Sequence, residues 1–270
     1  MKLADTLRFA SGSLRGSPTR TVLMMLAMSI GVAAVVVLTA LGEGARRYVV
    51  DQFASLGTNL VIVLPGRTET AGVGPGLMSG QTPRDITLED AEALLRSPAI
   101  KRIAPLTIGS ATLSRGALNR AVVVAGSTAD MLDIRHMGMA VGRFLPRGDI
   151  FDTSSVCVLG NQMKRELFGN EQAVGQWVRL GDRRFRVIGV LASQGESMGM
   201  RTDELVIIPV GAAHQLFNTS GLFRVLIEAK NRDAIEAAVR EAESILVERH
   251  SGERDVTVIT QDAVLQTFDR

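Results

Sequence analysis

A single cysteine, a single tryptophan and a single tyrosine stand among 270 residues, and each scarcity excludes a class of protein. One thiol cannot close an internal disulfide, so no disulfide framework holds this chain together. Cys157 lies in the apolar run SVCVLG, a pattern that fits a buried strand rather than a reactive thiol. Aromatic residues make up 4% of the chain, and no run of lysine and arginine is interleaved with them. The net charge of +2 is the difference between 30 basic and 28 acidic residues, so the pI near 9.0 reflects a small excess and not a basic tract. Nucleic acid is therefore set aside as a partner.

Catalytic patterns are also missing. The three histidines, His136, His214 and His250, are far apart in sequence, and no spacing among them suits a metal site. They read as surface or helix-packing residues. No GxSxG, HExxH or CxxC occurs. The glycine-rich stretch Arg67–Gln81 contains no lysine and no GxxxxGK, so it reads as a loop and not as a phosphate cradle. Asp203, Glu204 and Glu228 would have to be gathered by folding to act together. The sequence thus names no catalytic, cofactor-binding or metal-ligating residue, and an enzyme is not expected.

What the sequence does contain is one long run without charge, Thr21–Gly42, TVLMMLAMSIGVAAVVVLTALG. At about 1.5 Å per residue it makes about 33 Å of helix, enough to cross the hydrocarbon core of a bilayer. It exceeds the apolar core of a cleaved signal peptide, and no small-x-small site ends it, so it reads as a retained anchor. Lys2, Arg8, Arg15 and Arg20 precede it against Asp5, whereas Arg46 and Arg47 after it are offset by Glu43 and Asp51. The positive-inside rule then places the N-terminus in the cytoplasm and residues after about 43 outside. Within the span, Ala27 and Gly31, like Ser29 and Ala33, are small residues four apart, a spacing that lets a second helix approach closely. Ahead of it, residues 1–17 read as an amphipathic helix, with Leu3, Leu7, Ala10 and Leu14 on one side. Such a helix suits the anionic lipid interface, a cytoplasmic partner, or both, and Arg8 and Arg15 are the residues expected there.

Ser17-Pro18 is a helix start, and the pattern GEGARRYVVDQFASLG carries the helix past the membrane as a stalk ending at Gly57. TNLVIVLPG follows as a strand. Thr87-Leu-Glu-Asp90 is a capping-box start to a helix ending near Arg96. Ile100–Leu113 alternates as one or two strands, ALNRAVVVAGS is another, and Thr128–Leu132 is a helical turn. SVCVLG is a buried strand, NQMKRELFG a short helix stopped by Gly169, and residues 176–191 a hairpin about Gly181-Asp182. LVIIPVG leads into a helix through Phe217, and LFRVLIEAK is a strand. Asn231–His250 is an amphipathic helix with the stripe Ile235, Ala238, Val239, Ala242, Ile245 and Leu246. DVTVIT is a strand, and residues 261–270 begin another helix. The strand–helix–strand order near the start is mirrored at the end, with shorter strands between. This predicts an α+β domain from the two outer parts with a β-rich module inserted.

Three of these motifs carry a resemblance. NLVIVLPG after a long anchored helix, GRFLPRGD, and SVCVLGNQMKRELFGNEQAVGQWVRLGDRRFRVIGVL together resemble the MacB-like periplasmic core domain of FtsX-like permeases of ATP-binding-cassette transporters. The resemblance runs over essentially the whole chain. It implies a porter-like α+β subdomain split into 57–118 and 218–260, with a sabre-like β-rich subdomain, 119–217, inserted. Residues 18–56 would be the transmembrane helix and stalk, and 261–270 the start of a helix returning to the membrane. It also implies four membrane helices per subunit in a homodimer or paired permease, where this sequence shows one. The expectation is the front part of a longer permease, with a single-span descendant as the other possibility.

The implied role is mechanical. ATP would be hydrolysed on a separate cytoplasmic ABC ATPase subunit, and the membrane helices would relay the movement to the periplasmic part. A periplasmic adaptor and an outer-membrane channel would be further partners of this inner-membrane protein, in efflux or in lipoprotein or peptide transport. A different class of role is an FtsX-like scaffold that activates a periplasmic cell-wall hydrolase.

Overall fold

The computed structural model describes residues 18–54, 59–66, 84–193, 196–197 and 200–260. The chain divides into two units, the first ending at Asp51 and the second beginning at Gln52. The expected amphipathic helix over 1–17, the glycine-rich loop over 67–81 and the helix begun at 261 lie outside the described residues.

The described part of the first unit is helical. Helix α1 (Pro18–Ala54) has 37 residues, about 55 Å at 1.5 Å per residue. Pro18 opens it, where a missing N–H leaves no bond unmade. Its Thr19–Gly44 stretch of 26 residues is long and apolar enough to cross a membrane, and none of it is buried.

The second unit is α+β, as expected from the order of its elements. In chain order it contains β1 (Leu60–Pro65), α2 (Leu88–Leu94), β2 (Ile100–Arg115), β3 (Leu118–Ser127), α3 (Asp130–Ile134), β4 (Met139–Gly142), β5 (Val156–Leu159) and α4 (Asn161–Phe168). There follow β6 (Trp177–Leu180), β7 (Arg183–Leu191), the short pair β8 (Glu196–Ser197) and β9 (Met200–Arg201), and β10 (Leu205–Pro209). The described chain closes with α5 (Val210–Phe217), β11 (Arg224–Ala229), α6 (Ile235–Arg249) and β12 (Val256–Thr260).

Strand β2 joins two sheets. Its first part, Ile100–Leu106, pairs antiparallel with β11 in an open sheet of order β12-β1-β11-β2. Its second part, Thr107–Arg115, pairs antiparallel with β3. From β3 the pairing continues to β10, β5, β7 and β6, and β6 returns to β2 through Leu113↔Leu180 and Ser114↔Arg179. Six strands therefore close a ring. Its interior holds Leu113, Val122, Val124, Leu159, Val178, Leu180, Phe185, Val187, Val206 and Ile208, packed against Met163 and Leu167 of α4 and Ala212 and Ala213 of α5. Alternation along each strand turns these side chains inward.

The open sheet is covered on both faces. Val61, Val63, Val225 and Ile227 meet α2 and α6 on one side, where Ala238, Ala242 and Leu246 of the expected α6 stripe are buried. Leu60 and Leu226 meet Met131 and Ile134 of α3 on the other. The local signals read from the sequence account for several boundaries. Thr87 and Asp90 form the reciprocal capping box of α2. Gly169, at φ 52, stops α4, and Gly181, at φ 60, turns β6 into β7. Of the one or two strands expected over Ile100–Leu113, the structure forms one, β2. One detail differs from the periodicity: β4 pairs with β7 where the sequence shows no strand pattern.

Candidate functional site

From Val22 to Leu41 the large apolar side chains of α1 are exposed on every side. Ser29 Oγ donates to Leu26 O at 2.9 Å, and Thr39 Oγ1 donates to Val35 O at 2.6 Å, so both hydroxyls are satisfied within the helix. That is the condition for polar side chains in hydrocarbon. Ala27 and Gly31 lie one turn apart on one face, and a Cβ at Gly31 would meet nothing within 4 Å. Thr21 and Gly42, the expected ends of the apolar run, both lie inside the helix. Arg8 and Arg15 fall outside the described residues.

In the second unit, a chain of charged residues and a cavity lie beside the first part of β2. Pro105 O accepts a hydrogen bond from Ser127 Oγ at 2.8 Å, which ties the end of β3 to β2 at the changeover. Beside it lies a cavity of about 120 Å³ whose lining includes Ile103, Asp130, Leu145, Arg147, Ile150 and Val210. Burial raises the Asp130 carboxyl above its ordinary value, with Arg102 and Arg147 pulling it back. An ion-pair chain runs alongside. Lys101 Nζ and Arg102 Nε lie 2.7 and 2.9 Å from the Glu228 carboxylate, Arg102 also pairs with Asp133, and Arg147 lies 2.9 Å from Asp133. It links β2, β11, α3 and the segment after β4.

A second group centres on three buried side chains, Asp90, His250 and Asp255, with Arg249 reaching them from the surface. Asp90 of α2 accepts from Thr87 N at 3.0 Å and from Arg249 Nε at 2.6 Å. His250 at the end of α6 has its Nε2 3.2 Å from Asp90 Oδ2 and its Nδ1 2.5 Å from Asp255 Oδ1. Burial pushes the Asp90 carboxyl up, but Thr87, Arg249 and His250 outweigh it and bring it down to about 2. The imidazole is wholly buried. No substrate reaches it, so the cluster ties α2, α6 and the start of β12 together rather than catalysing.

The remaining singled-out residues take separate partners. His214 Nε2 lies 2.9 Å from Thr107 Oγ1, and burial lowers the imidazole below its usual value, with Glu89 opposing. Asp203 accepts from Ser193, Glu204 pairs with Arg201 and Arg120, and Glu228 pairs with Lys101 and Arg102. Folding thus gives these acids different partners. Cys157 is buried, and burial alone drives its thiol upward. Among the described residues no group of three or more His, Cys, Asp or Glu is placed to hold a metal ion. The His250 cluster was missed in the sequence. Its one local sign is an aspartate five residues beyond the histidine across Gly252, which adopts φ 86.

Comparison with known proteins places this geometry. The model of the MacB-like periplasmic core domain matches residues 21–245. The chain is 30% identical over 249 residues to the pyoverdine export ATP-binding/permease protein PvdT of Pseudomonas aeruginosa, covering 92% of this chain and 36% of that protein. It is 33% identical to the macrolide export ATP-binding/permease protein MacB of Hyphomonas neptunium, covering 99% of this chain and 41% of that protein. For MacB 1/2 of Paracoccus denitrificans the identity is 34%, covering 99% and 39%. The chain therefore spans about two fifths of the length of these relatives. In fold it is similar to the periplasmic region of MacB from Actinobacillus actinomycetemcomitans, with a TM-score of 0.68 at 21% identity over 80% of this chain and 95% of that one. The extracellular domain of the noncanonic ABC-type transporter YknZ gives 0.60 at 19% identity over 75% and 100%. With α1, these likenesses fit an inner-membrane protein that carries a periplasmic domain. By its match over residues 21–245, the chain belongs to the family of MacB-like periplasmic core domains.

Proposed function

We propose that this chain is the anchored, extracytoplasmic part of the permease of a MacB-like ABC exporter. ATP is hydrolysed on a separate cytoplasmic subunit, and α1 with neighbouring membrane helices relays the movement to the periplasmic part. That part changes shape to drive out an efflux substrate, a peptide or a lipoprotein. The relay requires an element with two arrangements whose balance nucleotide shifts. The N-terminus, with Arg8 and Arg15, faces the cytoplasm, the lipid headgroups and the ATPase, and residues after about 43 lie outside. Two copies, or a paired permease, meet through Ala27 and Gly31. Residues 57–118 and 218–260 form the porter-like part, 119–217 the sabre-like insert, and a periplasmic adaptor and outer-membrane channel complete the path.

The observation that carries this reading is the family match together with relatives named as exporters. It is supported by β2, which is continuous from open sheet into ring and so gives the two a shared element. The names of those relatives join ATP-binding and permease in one protein, which makes an ATPase on the same polypeptide the other arrangement. A second reading is that the domain only signals, as an FtsX-like scaffold activating a cell-wall hydrolase. Affinity isolation of the full-length protein from solubilised membranes tests both. An ABC ATPase recovered with a periplasmic adaptor is the expected result. A hydrolase recovered without an adaptor would replace the export reading.

A further inference from the structure

The β6–β7 hairpin carries a surface that the export reading leaves unused. In its register Trp177 stands opposite Arg186 and Arg179 opposite Arg184. Directly opposed residues share a face, so these four side chains lie together on the outside of the ring, all exposed. Trp177 is 56% exposed. Arg183 belongs to the other face, where its Nη1 donates to Gln215 Oε1 at 2.7 Å. On the outer face Arg179 Nε donates to Gly181 O at 3.0 Å, and among the described residues no carboxylate pairs with Arg179, Arg184 or Arg186. Arg102, Arg115, Arg120, Arg147, Arg201 and Arg249 each hold a carboxylate, whereas Arg96, Arg165 and Arg232, like the hairpin arginines, hold none among the described residues. What sets the hairpin apart is three such arginines on one face beside an exposed tryptophan. Like charges set directly opposite on a ribbon weaken it, so this arrangement works against the fold that displays it.

We propose that this ribbon docks an extended acidic segment of a protein partner. Arg184 and Arg186 are alternate residues of one strand, about 6.6 Å apart along it. Carboxylates at alternate positions of an extended peptide repeat at the same interval. Each guanidinium offers a planar fork that fits a carboxylate through two hydrogen bonds. Ser114, opposite Arg179 on β2, adds a hydroxyl to the same face. The Trp177 indole supplies a rigid apolar platform at small entropic cost, the usual companion of arginine where binding energy concentrates. A second copy meeting this face with its own would set arginine against arginine. A bilayer surface calls for a broad apolar face to bury, and here a single indole protrudes.

The chain has one tryptophan, so its fluorescence reports on this site directly. The full chain in detergent micelles is titrated at low salt with a synthetic peptide of alternating Glu and Ser. A saturable change in Trp177 emission is expected. Arg184→Glu with Arg186→Glu should weaken it by at least about tenfold. Arg96→Glu with Arg232→Glu, an equal charge change at two exposed positions away from the hairpin, should leave it within about twofold. Equal loss in both variants would reduce the effect to net charge and overturn the proposal. So would silence toward the peptide, a response only to phosphatidylglycerol vesicles, or an emission change that tracks dimer formation. Arg184→Ser is the folding control, and it should leave Tm unchanged or raise it. A fall of more than about 4 °C would assign the arginine to stability and overturn the docking role.

Discussion

Gly126 on β3 lies against Ala213 on α5 so closely that a methyl group at Gly126 would stand 2.2 Å from the Ala213 Cβ and 3.3 Å from the Val210 Cα. Helix and strand meet almost backbone to backbone at the end of the ring. At Gly109 of β2 the nearest atoms belong to the ring of Phe217, with Cζ 2.4 Å from the position a Cβ would take.

Gly126→Ala should therefore destabilise the domain by about 2–3 kcal/mol, since neither the Ala213 Cβ nor the Val210 backbone can turn aside. Gly109→Ala should cost less, because the Phe217 side chain can rotate. Urea midpoints of the two variants decide this, and equal losses would contradict the difference in what each glycine faces.

The Asp90 cluster makes stability depend on acid. Its carboxyl is held at about 2 in the folded chain, against about 3.9 when unfolded. A depressed carboxyl stabilises above its unfolded value, and the contribution fades as pH falls from about 4 to about 2. The contribution at neutral pH is at most about 2–3 kcal/mol, less what solvent screens. Asp90→Asn should lower stability at pH 7, and the gap to the unaltered protein should narrow toward pH 2. Chemical denaturation at pH 7, 4 and 2.5 measures this, and a gap independent of pH would remove Asp90 as its source.

Cys157 should not react in the folded protein. Its thiol is buried at the centre of the ring core, where burial disfavours the thiolate. A maleimide should label it only after denaturant opens the ring, at a rate that follows unfolding. Labelling under native conditions at the speed of an exposed thiol would show that the ring opens locally.

Gly31→Leu tests the proposed helix contact. The site faces open space in the single chain, so the substitution leaves the helix able to insert. In the full-length protein it should impair export if a second helix packs there, while membrane fractionation stays unchanged. Undiminished export would argue against close packing at Gly31.

Much of the local structure was legible because its causes are local. Thr87 and Asp90 announce α2, since the capping box depends on residues three apart. Gly169 and Gly181 mark turns because their backbone conformations disfavour a Cβ. The stripe of α6 is legible because helical periodicity reflects a buried face. The candidate sites were less so. His250 gives no sign of Asp90, which is 160 positions away and recognisable only as a helix cap. The outward arginines of the β6–β7 hairpin alternate visibly, but whether a carboxylate would cover them depends on what the rest of the chain brings alongside. The strand β4 lacked a signal because its four residues owe their conformation to pairing with β7 at a sheet edge.

The sequence by itself determined an apolar run long enough to cross a membrane, the position of most strands and helices, and the absence of familiar catalytic motifs. These follow from charge, periodicity and turn chemistry, which act over a few residues. Tertiary structure alone decided that β2 serves two sheets, that β6 returns to β2 and closes a ring, and that Asp90, His250 and Asp255 share one buried site. Such pairings depend on which distant segments bury each other's apolar faces, and no short stretch of chain contains that information.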